Sequence, residues 1–277
     1  MCGFVFFLES KYRQNKKRSS SYGNLFGGLE SRGPDDKKTI QLQNEYSTLT
    51  FYHFRLHIKG LKKDGVQPKV DNDERWFILF NGEIYNTIEL SKKVGFSNPS
   101  GSDTELLLFL IERFGIETTI YQIKGMFSVF IFDKFRSKIY LFRDTYGQKP
   151  LYYGFSREKL VISSDSDVVR GFLNIKRDNI TFESVKNYVS FGYNPILDES
   201  INNNIKIVPG GSLIEIDLNS RDKFNIEEYN NFVPNLKQPS YDFSSDSLSD
   251  LLSETLKTSF KSQLSPTNFY LQPYMVG

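Results

Sequence analysis

A chain of 277 residues is long enough for one large domain, or for one domain and part of another. Its 39% hydrophobic and 25% charged residues are ordinary for a globular protein, and a net charge of +2 gives no electrostatic case for nucleic acid. A single cysteine excludes an internal disulfide and a thiolate zinc cluster, and two histidines, His53 and His57, are too few for a metal site of their own.

No apolar run approaches the roughly 20 residues that a membrane helix needs. The apolar start, Gly3 to Leu8, has its basic residues after it, the reverse of a secretory signal. Those residues, Lys11, Arg13, Lys16, Lys17 and Arg18, run into Ser19-Ser20-Ser21 and read as a solvated loop. The expectation is a soluble cytoplasmic protein that binds neither membrane nor nucleic acid.

The first predicted element is a buried strand from Cys2 to Phe7. A short helix over Asn24 to Glu30 precedes the turn Arg32-Gly33-Pro34-Asp35. Leu49 to Leu56 and Trp76 to Phe80 read as strands, the second running directly into Asn81-Gly82. Ser102-Asp103-Thr104-Glu105 has capping-box spacing, and Leu106, Leu107, Leu110 and Phe114 follow at helical spacing before Gly115. Met126 to Phe132 and Lys138 to Phe142 are strands across a polar turn. Leu151 to Phe155 and Leu160 to Ser163 form a hairpin turning at Ser156-Arg157-Glu158. Strands so continuously apolar imply sheets covered on both faces, so layers of helix and sheet.

After Asp217 the composition shifts. Residues 218–245 read as a linker rich in Asn, Ser, Asp and Pro. Beyond it Leu248, Leu251, Leu252, Leu256 and Phe260 make one apolar helical stripe, ending near Ser265-Pro266.

Cys2 carries the sharpest chemical signal. At an ordinary pKa of about 8.5 only a few per cent of a thiol is thiolate at neutral pH. At position 2, removal of Met1 would leave a free α-amine on the same residue to act as general base. The plainer reading is an inert buried cysteine.

The odds shift because Met1-Cys2-Gly3, Arg32-Gly33-Pro34-Asp35, Phe80-Asn81-Gly82-Glu83-Ile84-Tyr85-Asn86, Gly101-Ser102-Asp103, Gly125-Met126-Phe127 and Arg143-Asp144-x-x-Gly147 occur in order. This chain thereby resembles the class II, N-terminal-nucleophile glutamine amidotransferases, and within them the N-terminal half of glutamine-hydrolysing asparagine synthetases. Lys149-Pro150-Leu151-Tyr152, Ser190-Phe191-Gly192-Tyr193 and Val208-Pro209-Gly210-Gly211 carry the resemblance to about residue 217.

The resemblance implies a four-layer α-β-β-α fold over residues 1–217, of the N-terminal-nucleophile hydrolase type. It implies Cys2 as nucleophile, with Asn81 and the Gly82 N–H as the oxyanion hole. Asn-Gly is by itself a hairpin-turn signal, and the two readings do not exclude each other. Arg55 would take the α-carboxylate of glutamine, and Glu83 and Asp103 its α-ammonium. An exposed arginine, and an acid placed to suit the helix dipole, are the plainer readings of Arg55 and Asp103. The Arg32 to Asp35 turn matches a loop that helps close over glutamine.

Two positions depart from the family pattern: His57 stands where a small Ser is usual, and Ser163-Ser164-Asp165 replaces Ala-Ser-Glu. The stretch 246–277 reads as the start of a truncated synthetase domain, and Leu264 to Gly277 contains no Ser-Gly-Gly-x-Asp-Ser loop for ATP. Glutamine hydrolysis would need no cofactor or metal. ATP and magnesium would enter only through a missing or separate synthetase domain, which would receive the ammonia to amidate aspartate or a related acid. A homodimer is one expectation for its assembly. The competing readings are a catalytically silent module that binds glutamine or docks a partner, and a degenerate product with no stable function.

Overall fold

The computed structural model describes residues 2–11, 25–57, 65–97, 101–156, 159–176, 180, 182–192, 204–219, 225–230 and 245–263. The first third contains β1 (Gly3–Ser10), α1 (Gly27–Arg32), β2 (Asp36–Gln43), β3 (Ser47–Arg55), β4 (Lys69–Val70) and β5 (Trp76–Ile84). There follow α2 (Thr87–Val94), α3 (Asp103–Phe114), α4 (Ile116–Gln122), β6 (Gly125–Asp133) and β7 (Lys138–Arg143). The remainder is β8 (Tyr152–Phe155), β9 (Lys159–Ser163), α5 (Ser166–Leu173), α6 (Phe182–Phe191), β10 (Lys206–Ile207), β11 (Ser212–Asp217), β12 (Asn225–Asn230) and α7 (Ser245–Gln263).

The strands form two six-stranded sheets, ordered β10-β8-β9-β1-β3-β2 and β12-β11-β7-β6-β5-β4. Strand pairing is antiparallel throughout both. Alternation along each strand explains the layering, because successive side chains point to opposite faces. Phe4, Phe6 and Leu8 of β1 meet Phe77 and Leu79 of β5 and Phe130 and Phe132 of β6 in a core between the sheets. The in-between residues face outward: Val5, Phe7 and Phe54 pack with Leu29 of α1 and with Val168 and Phe172 of α5. On the other outer face Ile78, Phe80, Val129 and Phe142 pack against Leu90, Leu106, Leu107 and Leu110 of α2 and α3. The result is helix, sheet, sheet, helix, as the continuous apolar runs predict.

Aromatic rings bind the two sheets. Phe6 lies 4.8 Å from Phe130 and 5.0 Å from Phe51, ring centre to ring centre. Each fully buried ring contributes about 1.5–3 kcal/mol of transfer free energy, and edge or offset contacts add to it.

Three expectations change. Asn81-Gly82 is not a hairpin turn: β5 continues through it to Ile84, still paired to β6 with Asn81 opposite Ser128 and Gly82 opposite Phe127. The polar stretch read as linker contains β12, which pairs with β11 from Ser212–Asn230 to Asp217–Asn225. Ser102 occupies the cap position of α3 with extended backbone but makes no side-chain capping bond, and Glu105 pairs with Lys69 at 2.6 Å. Arg157 and Glu158 of the expected hairpin turn, the basic cluster beyond Lys11, and residues 264–277 lie outside the described residues. Among the described residues no helix is long and apolar enough to cross a membrane.

Candidate active site

The strand period that builds the inner core also aims the polar residues at its end. Cys2 has the parity of Phe4 and Phe6; His53 and Arg55 that of Leu49 and Phe51; Asn81 and Glu83 that of Phe77 and Leu79. Each apolar inward row therefore ends in polar residues that face the opposing sheet. At that end Gly3 pairs with Phe54, so the start of β1 lies beside the end of β3.

Cys2, Arg55, Asn81, Gly82, Glu83 and Asp103 all line one cavity there, which opens to solvent and has about 70 Å³ of room for water-sized molecules. Leu56, Gly65, Gln67, Phe80, Ser102, Thr104, Met126 and Lys149 complete its wall. The six residues come from four separate places in the chain, and the structure brings all of them together.

Local contacts explain how each is held. Phe4, two residues after Cys2, donates its N–H to Ser164 Oγ at 3.1 Å, and its carbonyl accepts from Ser163 Oγ at 2.9 Å. These bonds fix the approach of the chain to the cavity. The Cys2 thiol lies 3.7 Å from the Leu56 carbonyl, and burial pushes its pKa above the ordinary thiol value. A buried thiol of that kind is mostly protonated at neutral pH and needs a base to become a nucleophile.

Arg55 is buried, at 4% exposure, which overturns the plainer expectation of a surface arginine. Its guanidinium rests against Gly65, where any Cβ would collide with Nη2 and Cζ. Gly82 has φ +152, and a Cβ there would strike the Met126 carbonyl across the ladder. Asn81 is 1% exposed, and its Nδ2 has no hydrogen-bond partner among the described residues. An unmet buried donor is costly, so a donor left open in a cavity wall is one that an incoming acceptor would satisfy.

Asp103 begins α3 and accepts the Ile84 N–H through Oδ2 at 2.8 Å, joining the helix start to β5. Gln67 ties the same parts from the other side: its Oε1 accepts from Phe80 N at 2.6 Å and its Nε2 donates to Thr104 Oγ1 at 3.3 Å.

Sequence reasoning missed Lys149 as a wall residue, although it lies in a quoted motif. It is buried, and burial lowers its pKa, opposed by the nearby negative charge of Glu83. The turn that presents it is heavily braced. Arg143 donates Nε to the Lys149 carbonyl and Nη1 to the Val208 carbonyl, each at 2.6 Å, and Nη2 to the Gly147 carbonyl. Asp144 accepts from Phe127 N at 3.1 Å, and from Tyr146 N and Gln148 N. Arg32 of the expected closing loop donates to the Ser164 carbonyl at 2.9 Å.

The sequence matches the glutamine amidotransferase domain over residues 1–230. A protein of Methanocaldococcus jannaschii named as a glutamine-hydrolysing asparagine synthetase is 31% identical over 212 residues, 70% of this chain and 40% of the relative. Asparagine synthetase 1 of Bacillus subtilis, also glutamine-hydrolysing, is 30% identical over 222 residues, 78% of this chain and 33% of the relative. The chain thus spans well under half the length of these curated relatives. Among solved structures, glutamine phosphoribosylpyrophosphate amidotransferase from B. subtilis, complexed with ADP and GMP, superposes with a TM-score of 0.52. That match, at 14% identity, covers 82% of this chain and 49% of the other. The allosteric regulatory enzyme of purine biosynthesis gives a TM-score of 0.54 at 16% identity over 82% of this chain and 48% of its own. At such identities the likeness is one of fold. With the family match running over 230 residues of the chain, the protein belongs to the glutamine amidotransferase domain family.

Proposed function

We propose that this domain hydrolyses glutamine to glutamate and ammonia through a thioester on Cys2. The observation that carries the reading is the open Nδ2 of Asn81, buried in the wall of the cavity that Cys2 also lines. Attack of the sulfur on the side-chain amide turns its carbonyl oxygen into an oxyanion, and fixed donors at that point stabilise the transition state. Asn81 Nδ2 and the Gly82 N–H are the donors assigned to it.

With Met1 removed, the α-amine of Cys2 takes the thiol proton and then delivers it to the leaving amide nitrogen, which departs as ammonia. Water, activated by the same amine, opens the thioester and releases glutamate. Arg55 takes the α-carboxylate through its fork of N–H donors, and Glu83 and Asp103 take the α-ammonium. The chemistry needs no cofactor, and a reducing cytoplasmic setting suits a catalytic thiol. The ammonia goes to an ATP- and magnesium-dependent synthetase domain or subunit, which amidates aspartate or a related acid.

A docking role beside catalysis has one observation in its favour. Leu251, Leu252, Leu256 and Phe260 of α7 are exposed, the last at 63%.

The test is glutamate release from glutamine by the purified protein beside a Cys2→Ala variant, with intact mass to verify loss of Met1. Release that depends on Cys2 supports the proposal. A folded protein lacking Met1 that releases no glutamate would overturn free-standing glutaminase activity, leaving a partner-dependent subunit or a silent glutamine-binding module.

A further inference from the structure

On the reading that Arg55 holds the α-carboxylate of glutamine, we propose that His57 restrains Asp36 from closing on Arg55, and so sets the preference of the site for substrates bearing that carboxylate. Asp36 lies directly opposite Arg55 in the β2–β3 ladder, at the open end of the sheet. Its Oδ2 stands 3.8 Å from Arg55 Nη1, close enough for attraction but longer than a hydrogen bond. The same Oδ2 is 2.5 Å from His57 Nε2. An ionised carboxylate only accepts, so Nε2 carries the proton of this bond.

The imidazole is itself anchored. The His57 N–H donates to Asp35 Oδ2 at 2.7 Å, and the Asp35 N–H donates to the Arg55 carbonyl at 2.9 Å. These bonds clamp residue 35 against 55 to 57, next to the Asp36–His57 contact. Meanwhile Gly65 backs the guanidinium, which presents to the cavity. Among the described residues Asp36 and His57 are not part of the cavity wall, so both act through Arg55 as positioning residues.

The chemistry at stake is competition. A carboxylate within hydrogen-bond distance of a guanidinium pairs with the same N–H fork that would grip the substrate carboxylate. Asp36 is an internal competitor, being directly across the strand pair. Held at 3.8 Å by His57, it supports a buried cation without occupying its donors. Loss of His57 removes this hold on the oxygen that faces Arg55.

The experiment compares His57→Ala, Asp36→Asn and the double variant, using ammonia release from glutamine and from 4-aminobutanamide, which is glutamine lacking its α-carboxylate. Where turnover of the second compound is slow, its inhibition constant against glutamine is read instead. Thermal melts verify folding, which both partly exposed sites favour. His57→Ala is expected to raise KM for glutamine about tenfold, the size of one charge-assisted hydrogen bond, with kcat within about twofold. Handling of 4-aminobutanamide stays unchanged, and adding Asp36→Asn to His57→Ala brings KM back to within about threefold of the starting value. An unchanged KM in His57→Ala, a double variant as impaired as the single one, or equal losses on both compounds would each overturn the inference. Arg55→Gln separates the two layers of the argument. Loss confined to glutamine together with a silent His57→Ala overturns only the role of His57. Equal loss on both compounds overturns the carboxylate reading of Arg55 and the inference with it.

Discussion

Asp103 reaches from the first position of α3 to the backbone of Ile84, accepting its N–H at 2.8 Å. The bond joins a helix start to the strand that carries Asn81, Gly82 and Glu83, so one carboxylate both braces the cavity and faces into it. Its two duties are separable. Asp103→Asn keeps an oxygen for Ile84, so the melting temperature is expected to change little while KM for glutamine rises. Asp103→Ala loses both, with a further stability loss of about 1–3 kcal/mol for the stranded N–H. Thermal melts and glutamine kinetics on the pair of variants provide the check.

Gly82→Ala is expected to be severe. The positive φ disfavours any side chain, and the added methyl meets the Met126 carbonyl, so β5 and β6 must part at the cavity wall. Stability should fall by about 1–3 kcal/mol, as for overpacked cores. The displaced N–H should lower kcat by about a hundredfold or more, as for loss of one oxyanion donor. Urea denaturation and single-turnover glutamate release measure the two effects.

His53 predicts a pH dependence of stability. It is buried at 1% exposure, and burial pushes its pKa down to about 3 from an ordinary 6.5. The folded state therefore keeps it neutral where the unfolded chain takes up a proton. Its contribution is fully present above pH 6.5 and is lost as pH falls toward 3. The slope is about 1.4 kcal/mol per pH unit at most. Between pH 6.5 and 5 the protein should lose about 2 kcal/mol more than His53→Gln, read from urea midpoints.

Asp144→Ala tests the brace beneath Lys149. The carboxylate accepts three backbone N–H groups, from Phe127, Tyr146 and Gln148, and is 2% exposed. Removing it strands them together, at a cost of about 3 kcal/mol or more. Because Phe127 pairs with Gly82, glutamine turnover should fall alongside stability. Stability that falls while activity per folded molecule stays constant would confine Asp144 to the fold.

The elements most legible in sequence were those with long apolar runs. β1, β5, β6 and β7 announce themselves because both faces are buried, the inner against the opposing sheet and the outer against helices. β2 was missed because it is an edge strand whose outward positions are exposed and whose inward ones are only half covered, as in Lys38, Ile40 and Leu42. α2 was missed because eight residues with one buried leucine make too weak a period. Asn81-Gly82 was read as a turn signal, but pairing to Ser128 and Phe127 overrides the local preference of the dipeptide.

The identities of Cys2, Arg55, Asn81, Gly82, Glu83 and Asp103 could be drawn from the order of short motifs, and a period of two was enough to aim four of them inward. Motif order could not supply contact. Whether Arg55 is buried, that Lys149 stands in the same wall, and that Asp36 and His57 share one carboxylate oxygen beside Arg55 follow from distances between segments remote in the chain. The sequence by itself determined which residue types are present and which face of each strand they take, because alternation is a local property of the backbone. Only the tertiary structure decided which of them meet, because strand register and sheet stacking are set by the packing of the whole core.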